Sequence, residues 1–150
     1  DMGGGTNDIM GLVDGKPTGQ LFIDKNAALT CINHIREVVE AKTGETISTY
    51  ALEKFMVNGD YDCSYAYRNI IQGELKQYAE QIYLILKKLG YNLDLTKIVF
   101  AGGGSTAIQH FGKNEGKKVL FYSDIHENAK GCEMAVRSIL KEIAKKRAGA

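Results

Sequence analysis

The chain begins with Asp1-Met2-Gly3-Gly4-Gly5-Thr6-Asn7-Asp8, and a second glycine-rich stretch, Ala101-Gly102-Gly103-Gly104-Ser105, follows much later. Glycine has no Cβ, so positive φ angles carry no steric cost and ligand atoms can approach the main chain closely. Both stretches are therefore predicted to form sharp turns in which the backbone lies close to a ligand.

The first turn also contains side chains with polar and charged groups. Asp1 and Asp8 flank the glycines, and Thr6 adds a hydroxyl group. Main-chain N–H groups bind phosphate oxygens and carboxylates hold a hydrated cation, which together are the requirements of a magnesium–nucleotide site. A plain turn between two strands is the alternative. The spacing Asp-x-Gly-Gly-Gly-Thr-x-Asp, with the second acid starting a strand, favours the nucleotide.

The second turn is predicted to join a strand to a short helix. An apolar strand over Lys97–Ala101 enters it, and a helix from Ser105 to Phe111 follows. This order is common in nucleotide sites, because a helix N-terminus favours anionic or polar ligand atoms. The stretch matches neither Gly-x-Gly-x-x-Gly nor the phosphate loop that ends in Gly-Lys-Ser/Thr. A purely structural turn remains the alternative here.

The rest of the chain predicts an α/β fold in which helices cover a mixed sheet, with residues 1–150 forming a single domain. The strands predicted over Lys97–Ala101 and Lys118–Tyr122 are continuous apolar runs, which are typical of strands buried on both faces of a sheet. Asn26 is a candidate cap for the first helix. The predicted strands are Asp8–Val13, Gln20–Ile23, Lys97–Ala101 and Lys118–Tyr122, and the longer helices run to Gly44, from Ser48 to Met56, from Ile70 to Leu89 and from Glu127 to Lys146, the last with an apolar face that includes Ala135, Ile139 and Ile143.

Composition excludes several classes of function. The net charge is +1, with 19 basic and 18 acidic residues, which argues against direct capture of nucleic acid. Cys31, Cys63 and Cys132 share no metal-type spacing and predict free thiols in a reducing cytoplasm. No apolar run approaches the roughly 20 residues of a membrane span. Because a phosphate-binding turn normally follows a strand, we expect the chain to be part of a longer protein.

Three segments together, in this order, resemble the actin-type ATPase superfamily. Asp1 to Asp8 is similar to its second phosphate motif, and Val99 to Ser105 to its adenosine motif. The stretch Asn128-Ala129-Lys130-Gly131-Cys132-Glu133-Met134-Ala135 is similar to its second connecting motif. The resemblance covers the C-terminal half of that superfamily's fold. Within it, the chain looks most like the plasmid-segregating ParM/StbA family. Heat-shock chaperones, cell-shape proteins and small-molecule kinases of the same superfamily remain alternatives.

The resemblance implies a ribonuclease H-like lobe, with ATP or ADP held in a cleft between it and a first lobe that would precede residue 1. By analogy, Asp1 and Asp8 would be catalytic and would hold Mg²⁺ through water. Gly3, Gly4, Gly5 and Thr6 would contact the β- and γ-phosphates, and Gly102, Gly103, Gly104 and Ser105 would bracket the ribose and α-phosphate. The resemblance also implies self-association into filaments and a DNA-binding adaptor protein as a partner. Adenine contacts would come from near Tyr67, Arg68 and Glu74, although an exposed helix face is an equal alternative there.

Overall fold

The computed structural model describes residues 1–124 and 126–148 as an α/β arrangement of four strands and five helices. The elements are β1 (Asn7–Val13), β2 (Lys16–Asp24), α1 (Ala28–Thr43), α2 (Thr49–Asn58), α3 (Tyr65–Lys88), β3 (Ile98–Ala101), α4 (Ser105–Phe111), β4 (Val119–Tyr122) and α5 (Glu127–Ala148). Every strand and helix predicted from the sequence is present, and α3 begins five residues before the predicted Ile70.

The helix ends follow local sequence signals. Ser48 caps α2, because its side-chain oxygen accepts a hydrogen bond from the Ala51 N–H at 3.2 Å. Gly44 and Gly59 end α1 and α2 in the left-handed conformation, which glycine adopts without steric cost. The expected cap Asn26 is wrong: the N-cap of α1 is Ala27, and no side chain caps that helix.

The strands form two sheets rather than the single mixed sheet that we expected. Strands β1 and β2 pair in antiparallel fashion around a turn at Asp14 and Gly15, which both have positive φ. Strands β3 and β4 pair in parallel, with α4 as the crossover between them. In the described part of the chain, each sheet therefore contains two strands.

The core lies mainly between α1, α2, α3 and α4. Its largest fully buried side chains come from these four helices and include Ile35, Leu52, Phe55, Ile71, Leu75 and Ile108. The parallel sheet adds Ile98 and Phe100, and the ring of Tyr83 in α3 packs edge-on against Phe100 with centroids 5.9 Å apart.

The prediction that β3 and β4 are buried on both faces is wrong. Ile98 and Phe100 are buried, but Val99 between them is 50% exposed. Side chains alternate across a strand, so this pattern means that β3 is covered on one face only. In β4, Leu120 and Tyr122 are likewise exposed, at 39% and 48%.

Helix α5 forms where the sequence predicts it, but its described apolar side chains are exposed. Ile139 and Ile143 of the predicted apolar face are 56% and 42% exposed, and Ala135 is exposed as well. A Cβ built at Gly131 in this helix meets no described atom within 4 Å, so no described segment crosses close to it. The described residues include no helix with the length and hydropathy needed to span a membrane.

Candidate functional site

The two glycine turns lie side by side. The Met2 N–H donates a hydrogen bond to the Ala101 carbonyl oxygen at 2.6 Å, and the Gly104 N–H donates to the Met2 carbonyl oxygen at 3.0 Å. Residues far apart in the sequence are therefore joined through their main chains. The segment Asp1–Met2 runs directly along the second turn, and this contact determines the shape of the site.

Gly102 allows this close approach. Its φ is +91°, and a Cβ added there would lie 2.5 Å from Asp1 Oδ1 and 2.8 Å from the Met2 carbonyl oxygen. Gly104 is also confined, since a Cβ there would lie 3.2 Å from both the Cβ and the carbonyl oxygen of Met2. The Asp1 carboxylate consequently lies between the first turn and the second. The Thr106 hydroxyl donates a hydrogen bond to the Gly103 carbonyl oxygen at 3.0 Å.

The first turn is attached to the N-terminus of α1 by its carbonyl groups. The Gly3 N–H closes the turn on the Thr6 carbonyl oxygen at 2.9 Å. The Ala28 and Leu29 N–H groups donate to the Gly3 and Gly4 carbonyl oxygens at 3.4 and 3.0 Å. These carbonyls satisfy donors that a helix start leaves unpaired, which explains why α1 needs no side-chain cap.

The same contacts orient two N–H groups toward the open side of the turn. A trans peptide unit is planar, with its C=O and N–H pointing in opposite directions. Because the carbonyls of Gly3 and Gly4 point at α1, the N–H groups of Gly4 and Gly5 point away from it. Both glycines are exposed, and a Cβ at Gly5 would meet nothing within 4 Å among the described atoms. Successive N–H groups directed outward in this way form a concavity suited to an anion.

The two acids of the first motif lie on one face of the local strand pair. The Asp8 N–H donates to the Asp1 carbonyl oxygen at 2.8 Å, and the Asp1 α-ammonium donates to the Asp8 carbonyl oxygen at 2.7 Å. Residues directly opposite each other on antiparallel strands place their side chains on the same face. Met2 and Asn7, the next pair, are both 3% exposed and therefore mark the inner face. Asp1 and Asp8 share the outer one.

Asn7 anchors this arrangement, although the sequence motif treats it as a spacer. Its side-chain Nδ2 donates to the Asn26 carbonyl oxygen at 2.7 Å and to Asp24 Oδ2 at 3.4 Å. These bonds join the start of β1 to the end of β2 and to the short segment between β2 and α1. The sequence signal for such a role was weak, since a polar residue between Thr6 and Asp8 is equally compatible with an exposed turn.

Ser105 differs from the other predicted contacts. Its side chain is fully buried, and its hydroxyl has no hydrogen-bond partner among the described residues. Its N–H donates to the Gly102 carbonyl oxygen at 3.1 Å, which closes the second turn. At this turn Gly102 and Gly104 border Met2. A contact of Ser105 with ribose stays a prediction.

Within the described ranges no three His, Cys, Asp or Glu side chains are grouped to hold a metal ion directly. Two carboxylates on one face suit a cation that keeps most of its water, as Mg²⁺ does. The predicted water-mediated contact with Asp1 and Asp8 is compatible with this geometry.

The candidate adenine contacts are engaged in other interactions. Arg68 Nε lies 3.0 Å from Asp60 Oδ1, and Glu74 lies 3.3 Å from His34 Nε2 and 3.8 Å from Lys42 Nζ. The Glu74 side chain is only 10% exposed. These ion pairs account for the polar character of this part of α3 without a ligand.

Comparison with known proteins identifies the class of fold. No family model matches the sequence, and no curated protein matches it. Among solved structures, the fold matches part of a longer protein. The matched protein is ParM from Bacillus thuringiensis, solved with ATP, at a TM-score of 0.59 and 17% sequence identity. The match covers 85% of this chain and 41% of that one, so the chain spans less than half the length of ParM.

Proposed function

We propose that the chain is the ATP-binding second lobe of an actin-like ATPase. The observation that supports this best is the meeting of the two glycine turns. It brings the outward N–H groups of Gly4 and Gly5, the paired acids Asp1 and Asp8, and the turn at Gly102 into one site. The similarity of the fold to ParM, a protein whose structure was solved with ATP, supports the same assignment.

Each group has a role that its chemistry suits. The N–H groups of Gly4 and Gly5 and the Thr6 hydroxyl bind the β- and γ-phosphates, while Gly3, whose N–H is bonded to the Thr6 carbonyl oxygen, shapes the turn. Asp1 and Asp8 would hold a hydrated Mg²⁺ by accepting hydrogen bonds from its waters, and they would orient the attacking water. A magnesium ion held there would supply positive charge to the phosphates. Transfer of a phosphoryl group depends mostly on such positioning and charge stabilisation.

The second turn binds the nucleoside end. Gly103 is exposed, so its main chain is accessible to the ribose and α-phosphate, whereas Gly102 is half-buried and Gly104 is buried against Met2. Ser105 lies behind them at the start of α4. We propose that the remaining contacts come from a first lobe across a cleft. The isolated chain should then bind nucleotide weakly and hydrolyse almost none, because half of the positioning groups are supplied elsewhere.

The proposed biological role is a cytoplasmic filament that segregates plasmids. The filament would assemble through this protein's own surfaces and bind DNA through an adaptor protein, since the balanced charge of +1 gives no basis for direct contact with nucleic acid. A nucleotide-dependent switch of the chaperone, cell-shape or kinase type uses the same motifs and is the second candidate. Light scattering by the two-lobe protein with Mg-ATP separates them: a filament protein scatters on addition of ATP, and a switch binds ATP without scattering.

The nucleotide site is tested with Gly5→Ala. A Cβ at this position meets no described atom, so the free energy of unfolding should change by less than about 0.5 kcal/mol. The methyl group nevertheless lies beside the N–H groups that are proposed to bind phosphate. Loss of one hydrogen bond to a charged group costs about 1.5–3 kcal/mol, so affinity for Mg-ATP should fall at least about tenfold.

Gly131→Ala is the matched control, since its Cβ also meets no described atom and Gly131 lies in α5, away from both turns in the sequence. Titration of labelled protein with Mg-ATP, followed by NMR, measures both affinities. Unchanged affinity in Gly5→Ala, or an equal loss in both variants, would refute the phosphate assignment.

A further inference from the structure

Strand β2 has a free edge. In the described part of the chain it pairs with β1 alone, so its other side has no neighbouring strand. The strand is exposed along almost its whole length, and Leu21, Phe22 and Ile23 are 61%, 42% and 55% exposed. Natural proteins normally protect such edges, because an open apolar edge pairs with other chains.

The hydrogen-bond pattern identifies the residues that face this edge. The N–H and C=O of Asp8 are bonded on the side of β1 that points away from β2. Main-chain direction alternates along a strand, so Ile9 faces β2, where its opposite residue is Phe22. Leu21 and Ile23, on either side of Phe22, therefore direct their N–H and C=O groups to the free edge.

Only one half of the edge is open. In the first half of β2, Pro17 has no N–H to donate. Gly19 has φ +83° and lies in the irregular part of the pairing with β1, which bends the strand. Residues 20–24 contain neither proline nor lysine, the residues that commonly block an edge. The open segment has the length of a short β-strand.

We propose that residues 20–24 pair in antiparallel fashion with the same segment of a second copy of this chain, across a two-fold axis at Phe22. Leu21 then lies opposite the partner's Ile23, and Ile23 lies opposite the partner's Leu21. Since both residues face the free edge, each opposed pair exchanges its N–H and C=O bonds. The two hairpins become one antiparallel sheet, and the nucleotide turns, beyond β1, take no part.

The side chains are complementary in this register. Phe22 lies opposite itself in a pair without hydrogen bonds, where side chains approach most closely, and aromatic cross-strand pairs are favourable. Asp24 lies opposite Gln20, whose amide is a hydrogen-bond donor for a carboxylate. The two Asp24 side chains are four residue steps apart, about 14 Å along the strands, which exceeds the screening length at physiological salt.

Neighbouring registers lack this complementarity. A two-fold axis at Ile23 would place Phe22 opposite Asp24, an aromatic ring against a carboxylate. An axis at Leu21 would place Ile23 opposite Gly19, where the strand bends. A two-fold contact uses the same patch on both subunits, so the assembly closes as a dimer.

Amide hydrogen exchange and sedimentation of the chain, at low and at high protein concentration, test the pairing. The Leu21 and Ile23 amides should exchange at least about fivefold more slowly where the dimer is populated. The Met10 N–H is the internal control, because it points to the opposite edge of the same hairpin. Equal protection of all three amides, or no protection of Leu21 and Ile23, would overturn the proposal.

Charge placed at the two-fold axis tests the register. Phe22→Lys brings two like charges together, and so does Phe22→Glu, so each variant should self-associate about fivefold or more weakly than the unchanged chain. An equimolar mixture brings opposite charges together and should recover most of the dimer in sedimentation. Only this register places residue 22 opposite itself, so a mixture that associates no better than either variant alone would overturn it.

Gln20 supplies a second pair of variants should the Phe22 variants lose their native circular dichroism, because its side chain is exposed. Gln20→Lys faces the partner's Asp24 and should strengthen association by about two- to fivefold, whereas Gln20→Glu should weaken it by a similar factor. Equal affinities would overturn the proposal. None of these measurements requires nucleotide, so their failure is distinct from failure of the proposed ATP site.

Discussion

Replacement of Gly102 by alanine tests whether the contact between the two turns is as close as the structure shows. Two costs add at this position. An L-residue with positive φ costs about 1–2 kcal/mol. The new Cβ would also lie 2.5 Å from Asp1 Oδ1 and 2.8 Å from the Met2 carbonyl oxygen, and relief of such overpacking typically costs about 1–3 kcal/mol.

Gly102→Ala should therefore lower the free energy of unfolding by about 2–5 kcal/mol, which corresponds to a fall in Tm of roughly 5–15 °C. Gly15→Ala is the control for the conformational cost alone. Gly15 has φ +75°, but a Cβ there meets nothing within 4 Å among the described atoms. Its loss should be close to 1–2 kcal/mol, as expected for positive φ in open space.

Urea unfolding followed by circular dichroism measures both variants under the same conditions. Both replacements restrict the unfolded chain in the same way, so the difference between them isolates the steric contact with Asp1 and Met2. If Gly102→Ala were no less stable than Gly15→Ala, the two turns would not lie against each other. The proposed nucleotide site would then lose its structural basis.

Three further outcomes follow from burial and charge. The exposed apolar side chains of α5 should cause self-association, which sedimentation experiments measure. Ile139→Asp should reduce it, whereas Ser138→Asp, which makes the same charge change on the same helix, should not. Cys132 is exposed and should react rapidly with a thiol reagent, whereas Cys31, buried and with its pKa raised to about 12 by desolvation, should react only on unfolding. Burial also raises the pKa of Tyr83 from 10.0 to about 12, so its contribution to stability is complete below pH 10 and is lost as pH rises toward 12. Tyr83→Phe should make the alkaline decline in unfolding free energy shallower, and an unchanged slope would contradict this.

Sequence patterns predicted the elements well where the signal is local. Helix α4 spans Ser105–Phe111 as predicted, and Gly44 and Gly59 end their helices. Such helix ends depend on the conformational freedom of a single glycine, so they can be predicted directly from the sequence. The start of α3 was harder to predict, because the cluster of tyrosines from Tyr61 to Tyr67 has no clear apolar period.

Expectations that depended on neighbouring elements were less reliable. The apolar run in β3 predicts burial on both faces, yet Val99 is exposed because helices cover only the face of Ile98 and Phe100. The expected cap Asn26 instead donates its side-chain amide to Gln81 Oε1 at 2.8 Å. The Gly3 and Gly4 carbonyl oxygens instead accept hydrogen bonds from the first N–H groups of α1. No local sequence rule identifies a capping group that is distant in sequence.

The sequence by itself determined where the chain turns, which segments are helical and which residues are candidates for binding phosphate, because these properties depend on the conformational preferences and functional groups of residues close together in the chain. Only the tertiary structure decided that Asp1 lies against Gly102, that Gly4 and Gly5 turn their N–H groups outward, and that β2 pairs with β1 alone among the described strands. Such arrangements arise when distant segments pack together, and the free energy of that packing is a property of the whole core.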